Sequence, residues 1–256
     1  MLIKYFTNLI SLSLILLLHL LPLVHACTPS IPPSTPTDGP APPFPTIIPG
    51  TDAPADSATT GFVLNHFSLN VNNLTASIDF YTRVLGMRLI FTFRATEKMS
   101  ISYLAHSHGG KNGTAYQTVS ELNRNKNNME GLIELLHYDY EDPKGEDKHP
   151  ATTELDNTFS HVGIIVPDSK AVEGRLEEFG VPVLKGVGGE VTERAKEVVA
   201  RAYGLGKLWT EKREEAEELV KMLLGAVPGV DEFVYATDPD GNLIEIQPQE
   251  LEQLPI

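Results

Sequence analysis

The sequence predicts an α+β domain made of two copies of one unit, each a strand, a helix and then about three strands. Three observations predict it. Segments 62–71 and 158–166 both read as strands with a histidine inside, His66 and His161. Each is followed by a stretch with helical spacing that stops at a glycine, Gly86 and Gly180. Each half then ends in a strand that carries a glutamate, Glu134 and Glu245.

The chain opens outside this pattern. Lys4 precedes an apolar run over 9–24, interrupted by His19 and Pro22, and Val24-His25-Ala26 offers a cleavage site. Residues 1–26 therefore read as a secretory signal peptide, because the run is short of the roughly 20 residues a membrane span needs. Residues 27–60 are dense in Pro, Ser, Thr and Ala and read as a disordered linker, since such a stretch cannot bury enough apolar area to offset its ordering entropy. Cys27 is the only cysteine, which excludes an internal disulfide framework and a cysteine-based zinc site. The folded part is expected over 61–250.

Module one spans 61–140. In its first strand Leu64, His66, Ser68 and Asn70 share one face, and Asn72-Asn73 break it. Ile78, Tyr81 and Leu85 give the helix 77–85 its apolar stripe, and strands are expected over 87–93, 100–105 and 131–136. Module two spans 157–250. After its first strand, Pro167-Asp168 starts a helix over 171–179, and strands follow at 233–236 and 242–247 around the turn Asp238-Pro239-Asp240-Gly241. The His-to-Glu spacing is 68 residues in module one and 84 in module two. The difference is a helical insertion over 190–226, read as two amphipathic helices with a break near Gly204-Leu205-Gly206. Its run Glu214, Glu215, Glu217 and Glu218 reads as a solvated face.

The formal net charge of -14, with no Lys/Arg cluster, argues against nucleic acid and against an anionic membrane surface as partners. Asn73 and Asn112 open glycosylation sequons, consistent with a secreted protein that has no membrane segment in its mature form. The chemistry sits in the paired His and Glu residues. Two imidazoles and two carboxylates suit zinc, nickel, cobalt, manganese or iron(II), and leave coordination positions for water or a small-molecule substrate. The expectation is one divalent metal ion held by His66, Glu134, His161 and Glu245, with the two modules forming one metal site.

Four segments resemble glyoxalase I (lactoylglutathione lyase) of the vicinal-oxygen-chelate superfamily. They are Asp79-Phe80-Tyr81-Thr82-Arg83-Val84-Leu85-Gly86-Met87, Leu132-Ile133-Glu134-Leu135-Leu136-His137, His161-Val162-Gly163-Ile164-Ile165-Val166-Pro167-Asp168, and Asp238-Pro239-Asp240-Gly241-Asn242-Leu243-Ile244-Glu245-Ile246. The resemblance implies the paired βαβββ fold and a two-His, two-Glu shell for zinc, nickel or cobalt. It implies isomerisation of a hemithioacetal, formed from methylglyoxal and a thiol, to a lactoyl thioester, with Glu245 as base and Glu134 exchanging protons on the opposite face. It also places substrate contacts at Asn70, Tyr138 and Asn157, where glutathione-specific enzymes carry Arg, Asn and Arg. Asn cannot imitate the charged fork of Arg, so glutathione and other thiols both stay open. Two further readings remain: another reaction of the superfamily, such as dioxygenation or a secondary-metabolite conversion, and a non-catalytic secreted binding protein. With both modules on one polypeptide, the protein is a monomer or a homodimer.

A chain beginning at residue 61 is expected to keep a cooperative thermal transition. Loss of that transition in calorimetry would show that residues 1–60 belong to the fold.

Overall fold

The computed structural model describes residues 50, 54–108, 117–140, 148–151, 153–154, 158–226 and 229–250. The signal-peptide expectation, most of the linker, Asn112 and Asn157 lie outside the described residues. At the end of the expected linker, Ser57–Thr59 forms an exposed 3-10 turn capped by Asp56.

Module one runs β1 (His66–Asn70), α1 (Leu74–Asp79), β2 (Arg88–Arg94), β3 (Met99–Ala105), α2 (Val119–Asn125) and β4 (Leu132–Tyr138). The α1 helix widens into a π-helical stretch at Phe80–Val84. Module two runs β5 (His161–Val166), α3 (Ser169–Glu178), β6 (Val183–Lys185), then α4 (Glu193–Ala202), α5 (Gly206–Glu211) and α6 (Arg213–Ala226), and closes with β7 (Val234–Thr237) and β8 (Leu243–Pro248). The expected α+β repeat of two βαβββ modules is present. Each module is a four-stranded sheet of matching order, β1-β4-β3-β2 and β5-β8-β7-β6. In each, the first and last strands pair in parallel and the rest are antiparallel.

The local chemistry explains the boundaries. Asn73 and Asp168 cap α1 and α3, their side chains accepting from Ala76 and Ala171 N–H. Gly86 and Gly180 follow the helices at φ 75° and 68°, a region that favours glycine. Three elements depart from the sequence reading. The α2 helix was not expected, although Thr118 and Glu121 form a reciprocal capping box at its start. Strand β6 is only three residues long and gives little periodic signal. The insertion holds three helices rather than two, because a second break at Lys212 follows the one at Gly204.

Strand alternation decides which way each sheet faces. Leu69, Val71, Ile133 and Leu135 of module one join Val166, Ile244 and Ile246 of module two in a single buried cluster with Tyr81 and Leu176. The modules are therefore packed on each other through their odd positions in β1 and β4 and their even positions in β5 and β8. Polar contacts lock the arrangement. The Tyr81 hydroxyl donates to the buried carboxylate of Asp238 at 3.0 Å. Asp240 accepts from the backbone N–H and the side-chain amide of Asn72, both at 2.9 Å. Burial pushes Asp238 above the ordinary carboxylate value, against the opposing effect of its hydrogen bonds from Asn242 and Tyr81.

The opposite faces carry extra helices. Leu122 and Met129, from α2 and the segment after it, cover Leu132, and α4–α6 pack Val199, Trp209 and Val220 over Tyr235 and Leu243.

Tyr81→Phe removes one donor to a buried carboxylate, and should cost about 1.5–3 kcal/mol of stability. Urea unfolding should show a lower midpoint at unchanged slope; an unchanged midpoint would mean this contact does not hold the modules together.

Candidate metal centre

The same alternation that sends Leu69 and Ile246 into the core sends His66, Glu134, His161 and Glu245 to the other faces. In module one Ser68 is the register partner of Glu134, so His66 sits one diagonal step away on the same face. In module two Gly163 is the register partner of Glu245, and His161 takes the identical step. The result is two matching pairs: His66 Nε2 lies 3.9 Å from Glu134 Oε2, and His161 Nε2 lies 3.8 Å from Glu245 Oε1.

The structure brings these residues together in twos, not in a group of four. Among the described residues no three His, Cys, Asp or Glu side chains gather where one ion could bind them. Within this one chain the four expected ligands therefore stand as two pairs, one on each module. The physical reason is the shared core, which occupies the faces through which the modules meet and leaves each His–Glu pair on the far side of its own sheet.

Each pair offers donors of the kind a cation takes. The residue before each histidine holds its Nδ1: Asn65 Oδ1 at 2.9 Å for His66 and Ser160 Oγ at 2.8 Å for His161. The Asn65 amide donates to the Lys126 and Met129 carbonyls, both at 2.7 Å, so its oxygen faces the ring. His66 Nδ1 then carries the proton and Nε2 presents its lone pair, the usual arrangement behind a metal-binding imidazole. A cation bonded to such donors at about 2.0–2.2 Å holds neighbouring ligands roughly 3–3.5 Å apart, so each pair needs only a small closure. The donor set, imidazole plus carboxylate, fits zinc, nickel or cobalt.

Tyrosines complete both pairs. Tyr103, the register partner of Glu134, places its hydroxyl 3.5 Å from His66 Nε2. Ser68 Oγ donates to Glu134 Oε2 at 2.6 Å. In module two Tyr235 is the register partner of Glu245 and donates to its Oε2 at 3.2 Å. Tyr203 donates to the same oxygen at 2.6 Å, and Gln247 donates to Oε1. Glu245 is the more enclosed carboxylate, with 9% of its side chain exposed against 17% for Glu134. Burial first, then the negative charge of Glu245, raises the Tyr203 phenol, and the Tyr235 phenol is raised by burial and by both of these neighbours. Both stay protonated donors. Burial, followed by Glu134, raises Tyr103 in the same direction.

Asn70 and Tyr138 lie at even positions of β1 and β4, on the His66–Glu134 face, and both are exposed. Asn73 is exposed at the start of α1. His137 lies within β4 and contacts the Val71 carbonyl through Nδ1 at 3.0 Å. The sequence reading missed Asn65 and Ser160, although superimposing the two repeats would have exposed a polar residue before each histidine.

Two paired βαβββ sheets with these half-sites define the class. The chain belongs to the Glyoxalase/Bleomycin resistance protein/Dioxygenase superfamily, whose profile matches residues 63–246. It is 32% identical over 149 residues to a lactoylglutathione lyase of Pseudomonas putida, an overlap of 54% of this chain and 79% of that enzyme. It is 31% identical over 140 residues to a lactoylglutathione lyase of Pseudomonas aeruginosa, covering 54% and 77% respectively. Among solved structures, the trypanothione-dependent glyoxalase I of Leishmania major aligns at 18% identity and a TM-score of 0.40, over 73% of this chain and 87% of that one.

Asn65→Ala frees the His66 ring, and should weaken metal binding about 10–100-fold, as loss of an orienting partner typically does. Isothermal titration with zinc and nickel checks this; an unchanged affinity would remove Asn65 from the centre.

Proposed function

We propose that the protein is a metal-dependent isomerase of the glyoxalase I type. It converts the hemithioacetal of methylglyoxal and a thiol, glutathione or another, to a lactoyl thioester. The observation that carries this reading is the repetition of one constellation in both modules: a His and a Glu on one diagonal of a parallel strand pair, with the imidazole held from behind. The likeness to lactoylglutathione lyases supports the chemistry.

When bound, a divalent cation supplies Lewis-acid stabilisation of the charge that develops on the substrate oxygens. His66, Glu134, His161 and Glu245 would hold it. Glu245 takes the proton from the carbon that bears sulfur and returns a proton to the neighbouring carbon. One C–H bond breaks and one forms, the hydroxyl proton on the sulfur-bearing carbon passes to the neighbouring oxygen, and the carbonyl moves between the two carbons, so the product is an isomer of the substrate. Glu134 exchanges protons on the opposite face of the substrate. Asn70 and Tyr138, on the same sheet face as His66, contact the thiol-bearing arm. The N-terminal apolar run in the sequence supports a protein of the secretory route or the cell exterior.

Completion of the four-ligand shell falls to a second copy. In a two-fold dimer, module one of each protomer faces module two of its partner, giving two equivalent centres. The apolar side chains left open on this chain support such a covered surface: Phe62 is 78% exposed, and Phe67 and Ile165 on the edge strands β1 and β5 are exposed as well.

With metal-loaded protein, methylglyoxal and glutathione, the ultraviolet absorbance of a thioester should rise. No signal with zinc, nickel or cobalt removes the glutathione version. Glu245→Gln should abolish turnover while metal content largely survives, and full activity would overturn its assignment as base. Inactive His66→Ala and His161→Ala proteins, mixed and allowed to exchange subunits, should regain about a quarter of the wild-type rate, since half the dimers then carry one intact centre. A mixture that stays inactive rules out shared centres.

A further inference from the structure

The helical insertion lies outside the repeated plan, yet it reaches the module-two half-site through the side chain of Tyr203. Helix α4 ends in a Schellman turn: Leu205 N–H donates to the Ala200 carbonyl at 2.7 Å, Gly204 N–H donates to Arg201 at 3.0 Å, and Gly204 has φ 74°. Tyr203 is the capping residue of that turn. Backbone bonds therefore fix where its side chain starts, and the buried Val199, Ala200 and Ala202 fix the helix below it.

From this cap the Tyr203 hydroxyl donates to Glu245 Oε2 at 2.6 Å, and its ring meets His161 edge-on with centroids 5.4 Å apart. Tyr235 donates to the same oxygen from the sheet. The carboxylate is thereby divided. Oε2 takes both phenols, while Oε1 takes the Gln247 amide and keeps a side open towards His161 Nε2, 3.8 Å away. In module one Tyr103 is the counterpart of Tyr235, and Glu134 takes its short bond from Ser68 of β1 instead.

We infer that the insertion is part of the metal centre: Tyr203 is a positioning residue that commits Oε2 of Glu245 to hydrogen bonding and turns Oε1 towards the cation shared with His161. The inference rests on the metal-dependent reading above. A carboxylate free to rotate presents either oxygen and must be ordered when the ion arrives; here the ordering precedes binding.

Tyr203→Phe keeps the ring against His161 and leaves the backbone cap intact, so it removes the O–H donor alone. The full chain, stripped of metal, is titrated with zinc against a chromophoric chelator. Tyr203→Phe should weaken zinc binding about 10–100-fold, and the loss of its bond to a buried carboxylate should also lower the urea midpoint of the metal-free protein. Trp209→Phe, which disturbs the insertion core without touching Glu245, should lower that midpoint and leave zinc affinity within about twofold. Wild-type zinc affinity in Tyr203→Phe, or an equal loss in Trp209→Phe, overturns the inference. A wild-type protein that binds zinc but does not isomerise hemithioacetals sinks the isomerase reading and leaves this one standing; one that binds no zinc, nickel or cobalt sinks both.

Discussion

The two-residue period of β1, β4, β5 and β8 is the constraint on which everything else rests. One set of positions supplies the apolar cluster that joins the modules, and the intervening set supplies the histidines and glutamates. The two sets cannot be changed independently. A one-residue slip in the β1–β4 register would carry Leu69 out of the core and turn His66 into it. The parallel pairing of first and last strands thus serves cohesion and chemistry at once, and it does so twice.

The two pairs are alike in geometry and unlike in surroundings. Glu134 takes its short hydrogen bond from a serine on its neighbouring strand, whereas Glu245 is enclosed by two phenols and an amide. The covering elements differ as well. A single short helix lies over the outer face of module one, and three helices lie over that of module two. The departure from symmetry therefore gathers on one side of the proposed centre, around the carboxylate assigned to proton transfer.

Much of this was legible before any coordinates. The alternation of Leu64, His66, Ser68 and Asn70 against Phe67, Leu69 and Val71 placed His66 on the correct face, and Gly86 and Gly180 marked the helix ends that positive φ now explains. What could not be read was how the modules dock. Alternation tells which side chains share a face, but not which face another sheet will cover, so the sequence left a monomer and a homodimer equally open. The tyrosines were hidden for a related reason. Tyr103 and Tyr235 reach the glutamates through antiparallel register, and Tyr203 from the end of a helix inserted between β6 and β7, and spacing along the chain records neither.

The contacts of Tyr81 with Asp238 and of Asn72 with Asp240 bear on how such sequences are recognised. The short stretches around them are what the eye catches first, yet here they act as a clasp between modules rather than as chemical equipment. A protein could lose His66, Glu134, His161 and Glu245 and still keep Asn72, Tyr81, Asp238 and Asp240. Their presence certifies assembly of the scaffold; evidence of catalysis has to come from elsewhere.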